Sequence, residues 1–138
     1  MRLVHLCSGP DGRSRFIDRD IEMTPSALGL TSGTLPAESV FIRDTTGGPQ
    51  SADFHPAPRR QLVFLLLGRV EYECGDGTKR ELGVGDVLLA DDLSGQGHRA
   101  RVLESPRLQV FVPVPAEADI SRWAAAAGPD GEEIEGVL

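Results

Sequence analysis

Two of the three histidines in this chain of 138 residues stand at the ends of strand-like runs. His55 opens the segment His55-Pro56-Ala57-Pro58-Arg59-Arg60-Gln61, which feeds an apolar run over residues 62–67 and stops at Gly68. His98 closes residues 85–98, which begin Gly85-Asp86-Val87-Leu88-Leu89 and finish Gly95-Gln96-Gly97-His98. An imidazole exchanges its proton near neutral pH and also ligates transition metals, so either site could do acid–base or metal chemistry. Arg59-Arg60 adds two planar cations, of which one should point into any cavity that Gln61 faces. A guanidinium there would bind a carboxylate or an enolate. Gln61 puts an amide at the head of an apolar strand, and a buried amide needs a partner. Plainer readings stand beside these. His55 can cap a strand, His98 can be a satisfied core histidine, and both arginines can sit at a rim in ion pairs.

These side chains need a scaffold, and the turn spacing describes one. Residues 2–6 read as a first strand, 16–22 as a second and 40–44 as a third, each bounded by Gly, Pro, Ser or Thr. Residues 61–67 form an almost continuous apolar run, suited to a strand buried on both faces. If Gln61 points inward, Arg59, Val63 and Leu65 share its face and Leu62, Phe64 and Leu66 pack behind. Residues 69–74 alternate, with Val70, Tyr72 and Cys74 on one side, and Gly75-Asp76-Gly77-Thr78 supplies a tight turn. Residues 80–82, 87–89, 98–103 and 108–114 continue the series, which is the pattern of a sandwich or barrel. One helix is expected, over residues 117–127, with Ile120, Trp123 and four consecutive alanines, stopped at Gly128-Pro129. Residues 1–127 then make a single domain and 128–138 an acidic tail.

Composition narrows the function. A net charge of −7 repels phosphate backbones and argues against a nucleic-acid partner. No apolar run approaches the about 20 residues of a membrane helix, and the first residues lack a secretory pattern, so a cytoplasmic protein is expected. Cys7 and Cys74 are too few for a disulfide framework and read as buried thiols. No nucleophile elbow, His-Glu-any-any-His pair or phosphate loop is present. Gly95-Gln96-Gly97 permits close backbone approach but is not a dinucleotide fingerprint.

Taken together, the two histidine segments resemble the paired motifs of the cupin superfamily. The first cupin motif runs His-any-His, three or four residues, Glu, six residues, Gly. Here His55 takes the first place, Ala57 that of the second histidine, Gln61 that of the glutamate and Gly68 that of the glycine. The second runs Gly, five residues, Pro-any-Gly, two residues, His. Gly85 and His98 match its ends, with two extra residues and no proline between. The resemblance covers about Asp53 to Val114 and implies an all-β, cupin-like double-stranded β-helix, or jelly-roll barrel, with a short C-terminal helix. It further implies that His55, Gln61 and His98 converge, with Arg59 or Arg60 at the mouth. Two imidazoles and an amide oxygen could then hold Fe, Mn, Ni or Zn, and Asp91 or Asp92 could supply the missing carboxylate. The site could equally be metal-free. His5 belongs to neither motif and should not affect a metal.

Cupins include enzymes and binding proteins, so the fold does not select the function. The expected activity is that of an enzyme on a small carbonyl- or carboxylate-bearing molecule, with His55, His98, Arg59 and Gln61 as its working residues. The reaction would be an isomerisation, dehydration or cyclisation by proton transfer, or an oxygenation if a divalent metal is held. The alternative is a non-catalytic module that binds or senses a small molecule. A homodimer is expected, because small single-barrel cupins commonly pair their edges.

Overall fold

The computed structural model describes residues 1–49 and 51–127, so the acidic stretch 128–138 lies outside the described residues. The described residues are all-β apart from one helical turn. Its strands are β1 (Arg2–Ser8), β2 (Ser14–Ile21), β3 (Met23–Ser26), β4 (Gly29–Ser32), β5 (Phe41–Asp44), β6 (Gln61–Cys74), β7 (Lys79–Leu82), β8 (Val87–Asp91), β9 (His98–Pro113) and β10 (Ala124–Ala126). The turn is α1 (Ile120–Trp123). Among the described residues, no helix is long and apolar enough to cross a membrane.

One sheet runs β10-β2-β1-β8-β6-β9-β5, with β7 paired to β6, and β3 and β4 form a separate hairpin. The sheet is mixed, because β1 and β8 pair in parallel, Leu3 opposite Val87 and Cys7 opposite Asp91. Both strands are covered on both faces, as parallel strands generally are. Val4, Leu6, Leu88 and Ala90 enter one core cluster with Val63, Leu65, Tyr72 and Phe111. Leu3, Val87 and Leu89 enter a second, behind the sheet, with Leu62, Val114, Ile120 and Ala124.

Two expected pairs of strands each prove to be one long strand. β6 runs for 14 residues through Gly68, and β9 runs for 16 opposite it. The ladder slips between Leu65 and Val70, where the ribbon bends. Gly68 makes the bend possible, with φ of 91° and no room for a Cβ against the carbonyls of Glu104 and Pro106. The irregularity also turns Leu66 outward, so it is 47% exposed and does not pack behind the strand as its parity predicts.

The C-terminal helix is shorter than its alanine-rich sequence predicts. Asp119 caps it by accepting from the Arg122 amide, and after Trp123 the chain extends and pairs with β2. Ala124 and Ala126 are buried while Ala125 is exposed, which is strand periodicity. The open backbone edge of β2, with room for methyl groups, outweighs alanine's helical preference. The β3–β4 hairpin lies in a stretch whose Pro, Gly, Ser and Thr content gave no strand signal.

A buried polar chain ties the sheet together. His5 Nε2 lies 2.8 Å from Asp91 Oδ2, and its Nδ1 accepts from Arg19 Nε at 3.0 Å. Arg19 also donates to the Ala124 carbonyl, and Arg60 Nε lies 3.3 Å from the other Asp91 oxygen. Replacing His5 with alanine removes the acceptor of Arg19 Nε and the partner of one Asp91 oxygen, both at buried or part-buried positions. His5→Ala should therefore cost about 2–4 kcal/mol in denaturant unfolding. A cost within about 0.5 kcal/mol would show that this chain carries no stability.

Candidate functional site

The site grows from two adjacent backbone segments. The amide of His55 donates to the His98 carbonyl at 2.9 Å, and the amide of His98 donates back to the His55 carbonyl at 3.0 Å. This reciprocal bridge sets the two imidazoles 4.9 Å apart between ring centroids. Gly97 permits it. Its φ is 79°, and a side chain there would occupy the space of the His55 carbonyl group. Ala57, which stands where the cupin motif has its second histidine, is buried in the core, and its amide donates to the Asp92 carbonyl.

The parity of β8 settles which aspartate meets the site. Leu88 and Ala90 face the first core cluster and Asp91 faces away to His5, so the next residue turns inward. Asp92 is fully buried, and its Oδ2 lies 2.7 Å from His98 Nδ1 and accepts from the Ser14 hydroxyl at 2.6 Å. For His98 to bond an ionised carboxylate, its proton must sit on Nδ1. Nε2 is then left with a free lone pair, the arrangement of an oriented general base.

The pocket that receives His98 has a volume of about 470 Å³. His55, Gln61 and Arg59 line it with His98, so the structure brings together the four residues singled out from the sequence. Arg60 turns away to Asp91 and to the carbonyls of Pro115, Ala116 and Ala118. Val63, Leu88, Tyr72, Phe41 and Phe111 supply apolar walls, while Leu65 lies deeper in the core. A groove of similar size crosses the outside of β6 and β9. Its charges are paired, Glu73 with Arg99 and Glu71 with Lys79 and Arg101.

Three contributors gave no sequence signal as site residues. Tyr72 stands edge-on to His98 at 5.9 Å, and its hydroxyl accepts from Gln109 Nε2. Burial raises its pKa, outweighing the nearby Arg107 charge and the Gln109 bond. Arg43, from β5, and Arg107, from β9, line the same pocket. Alternation on their own strands could have shown their parity, but nothing in it says that these strands face the histidines.

As a metal centre the donor set falls short. His55, His98 and Gln61 are neutral ligands, and Gln61 Oε1 is buried with no hydrogen-bond partner, as an amide ligand would be. Among the described residues, however, no three His, Cys, Asp or Glu side chains converge. Three guanidiniums also share the pocket, and their charge opposes a cation. The residues present do not fit a resident divalent ion.

Both thiols are buried and unpaired with each other. Cys74 pairs with His98 across the β6–β9 ladder, and burial pushes its pKa up to about 12 from 9.0. A raised value means that the folded state holds the proton longer than the unfolded chain. The stability this gives is complete below pH 9 and is lost as pH rises towards 12. Denaturation midpoints should thus fall across that window, with a shallower fall in Cys74→Ala. Identical alkaline limbs would place the titrating group elsewhere.

Comparison of the chain with protein-family models and with curated proteins finds no match to either.

Proposed function

We propose that this chain is a cupin-like enzyme that moves a proton on a small carbonyl- or carboxylate-bearing molecule. The observation that carries the reading is the buried Asp92–His98 pair, with one imidazole nitrogen fixed by a carboxylate at 2.7 Å and the ring lining the pocket. The proximity of His55 to His98, at both motif positions, supports the double-stranded β-helix reading of the fold.

In this mechanism the substrate lies against Val63, Leu88 and Tyr72, whose side chains keep water from the reacting carbon. His98 Nε2 takes a proton from the carbon beside the carbonyl. Asp92 stabilises the imidazolium that forms and holds the ring in place. The electron pair moves into the carbonyl, and the enolate oxygen is met by Arg59. His98 then returns the proton to another atom of the same molecule, which completes an isomerisation, or to a leaving hydroxyl, which completes a dehydration. Gln61, which lines the same pocket, orients the substrate there.

The test is deuterium incorporation from heavy water into a panel of small 2-oxo and 3-oxo carboxylates, followed by NMR. Wild type should exchange protons beside the carbonyl in at least one compound, and His98→Ala should lose about 10²–10⁴ of that rate. Protein purified without chelators or tags should exchange equally well after treatment with a chelator. Binding without exchange would overturn the enzymatic reading and leave a binding module. Exchange that disappears with the chelator would overturn the metal-free mechanism.

A further inference from the structure

Cations gather in this pocket. The chain carries a net charge of −7, yet among the described residues no Asp or Glu lines the cavity. Arg43, Arg59 and Arg107 all line it. Elsewhere Arg2, Arg60, Arg69, Arg80, Arg99 and Arg101 each lie in an ion pair with a carboxylate. Among the described residues, the three pocket arginines have no such partner.

Aromatic faces and a hydroxyl hold these arginines instead. The Arg43 guanidinium carbon lies 4.8 Å from the centre of the Phe111 ring and 5.7 Å from that of Phe41, and Arg59 lies 5.9 Å from Phe41. Phe41 and Phe111 are themselves stacked, 4.9 Å apart and 2° from parallel. Arg107 Nε donates to the Thr45 hydroxyl at 2.8 Å. Contact through the flat face fixes a guanidinium while leaving its N–H edge free, and that edge matches a carboxylate. Burial lowers the Arg107 pKa and the neighbouring Arg43 charge lowers it further, although Tyr72 opposes both. Arg43 and Arg107 repel one another, and among the described residues no carboxylate pairs with either.

We infer that Arg43 and Arg107 form an anion clamp that takes the carboxylate of an aromatic or other flat apolar monocarboxylate, its body lying along Phe41, Phe111 and Val63, while Arg59 stays with the enolate oxygen. The clamp deepens the proposed function, and rests on it, by naming the substrate class and its anchoring end. The carboxylate is gripped from the β5 and β9 side, and the reacting carbon is presented to His98. An acidic surface with one cationic cavity also draws an anion to that cavity, an effect that weakens with salt.

The experiment measures binding by calorimetry for benzoate, cinnamate, phenylpyruvate and hexanoate, each beside its uncharged methyl ester. At least one aromatic carboxylate should bind about tenfold or more tighter than its ester, and should weaken as salt rises. Arg43→Gln and Arg107→Gln should each reduce that preference by about tenfold, whereas Arg43→Lys should keep part of it and Arg99→Gln, outside the pocket, should keep all of it. Circular dichroism and melting of each variant separate loss of the clamp from loss of the fold. If no carboxylate outbinds its ester in wild type, or if folded Arg43→Gln and Arg107→Gln keep the full preference, the clamp is overturned. His98→Ala distinguishes the two proposals, since it should abolish proton exchange and leave the carboxylate preference intact. Preference without exchange in wild type would keep the clamp and reject the enzyme; exchange without preference would do the reverse.

Discussion

Asp92→Asn is expected to slow proton exchange by about 10²–10³ while leaving carboxylate binding nearly unchanged. The substitution keeps the shape of the side chain and an acceptor for the Ser14 hydroxyl, but removes the charge that faces His98. An amide oxygen can still accept from Nδ1, but it stabilises an imidazolium far less than a carboxylate does. If the amide turns its nitrogen to the ring, it donates to Nδ1 and moves the imidazole proton to Nε2, where the base is needed. Both outcomes reduce the rate and neither touches the arginines. Asp92→Ala should act differently, because it leaves Ser14 and His98 buried without their partner and should cost about 3–5 kcal/mol of stability. A folded Asp92→Asn protein that exchanges at the wild-type rate would remove His98 from the role of base.

Gly97→Ala should be the most damaging of the glycine substitutions around the site. Two separate costs meet there. A side chain at φ of 79° is strained by itself, and the new methyl group would overlap the His55 carbonyl carbon and oxygen. The bridge between His55 and His98 must then open or slide. Gly77 offers the comparison, since its φ is 88° and an added methyl group would meet nothing. Gly77→Ala should cost about 1 kcal/mol from conformation alone, whereas Gly97→Ala should cost about 3 kcal/mol or more and impair binding. Chemical denaturation of both variants decides the matter. Equal losses would mean that the bridge yields without cost.

Much of the scaffold was legible in the sequence because it follows from short-range chemistry. Turn residues at Gly75-Asp76-Gly77, alternation through Val70, Tyr72 and Cys74, and the apolar run from Gln61 each describe a strand without reference to the rest of the chain. The placing of His55 beside His98 was legible only through the motif resemblance, since the two lie 43 positions apart. Parity along β8, counted inward from Leu88, would have selected Asp92 over Asp91 without coordinates. Other features depended on tertiary structure. The alanines at 124–126 follow an open strand edge rather than their helical preference, and Leu66 is turned outward by a slip in the ladder that the sequence shows only as Gly68. Arg43 and Arg107 lie on strands that pair with one another around residues 43–45 and 107–109, and their meeting with the histidines is set by the fold of the β6–β9 ribbon.

The double use of Asp92 has a bearing on descent. One carboxylate oxygen serves both His98 and Ser14, so it secures the β2 hairpin as well as the ring. A descendant that no longer needed the reaction would still be selected to keep both residues, because discarding the aspartate would endanger folding. Their persistence in a relative is therefore a poor sign of activity. Among the described residues, Arg43 and Arg59 pair with no carboxylate and anchor no backbone group, so nothing in the scaffold holds them once the ligand is lost. In a lineage of such proteins, the arginines would be the first record of a function abandoned.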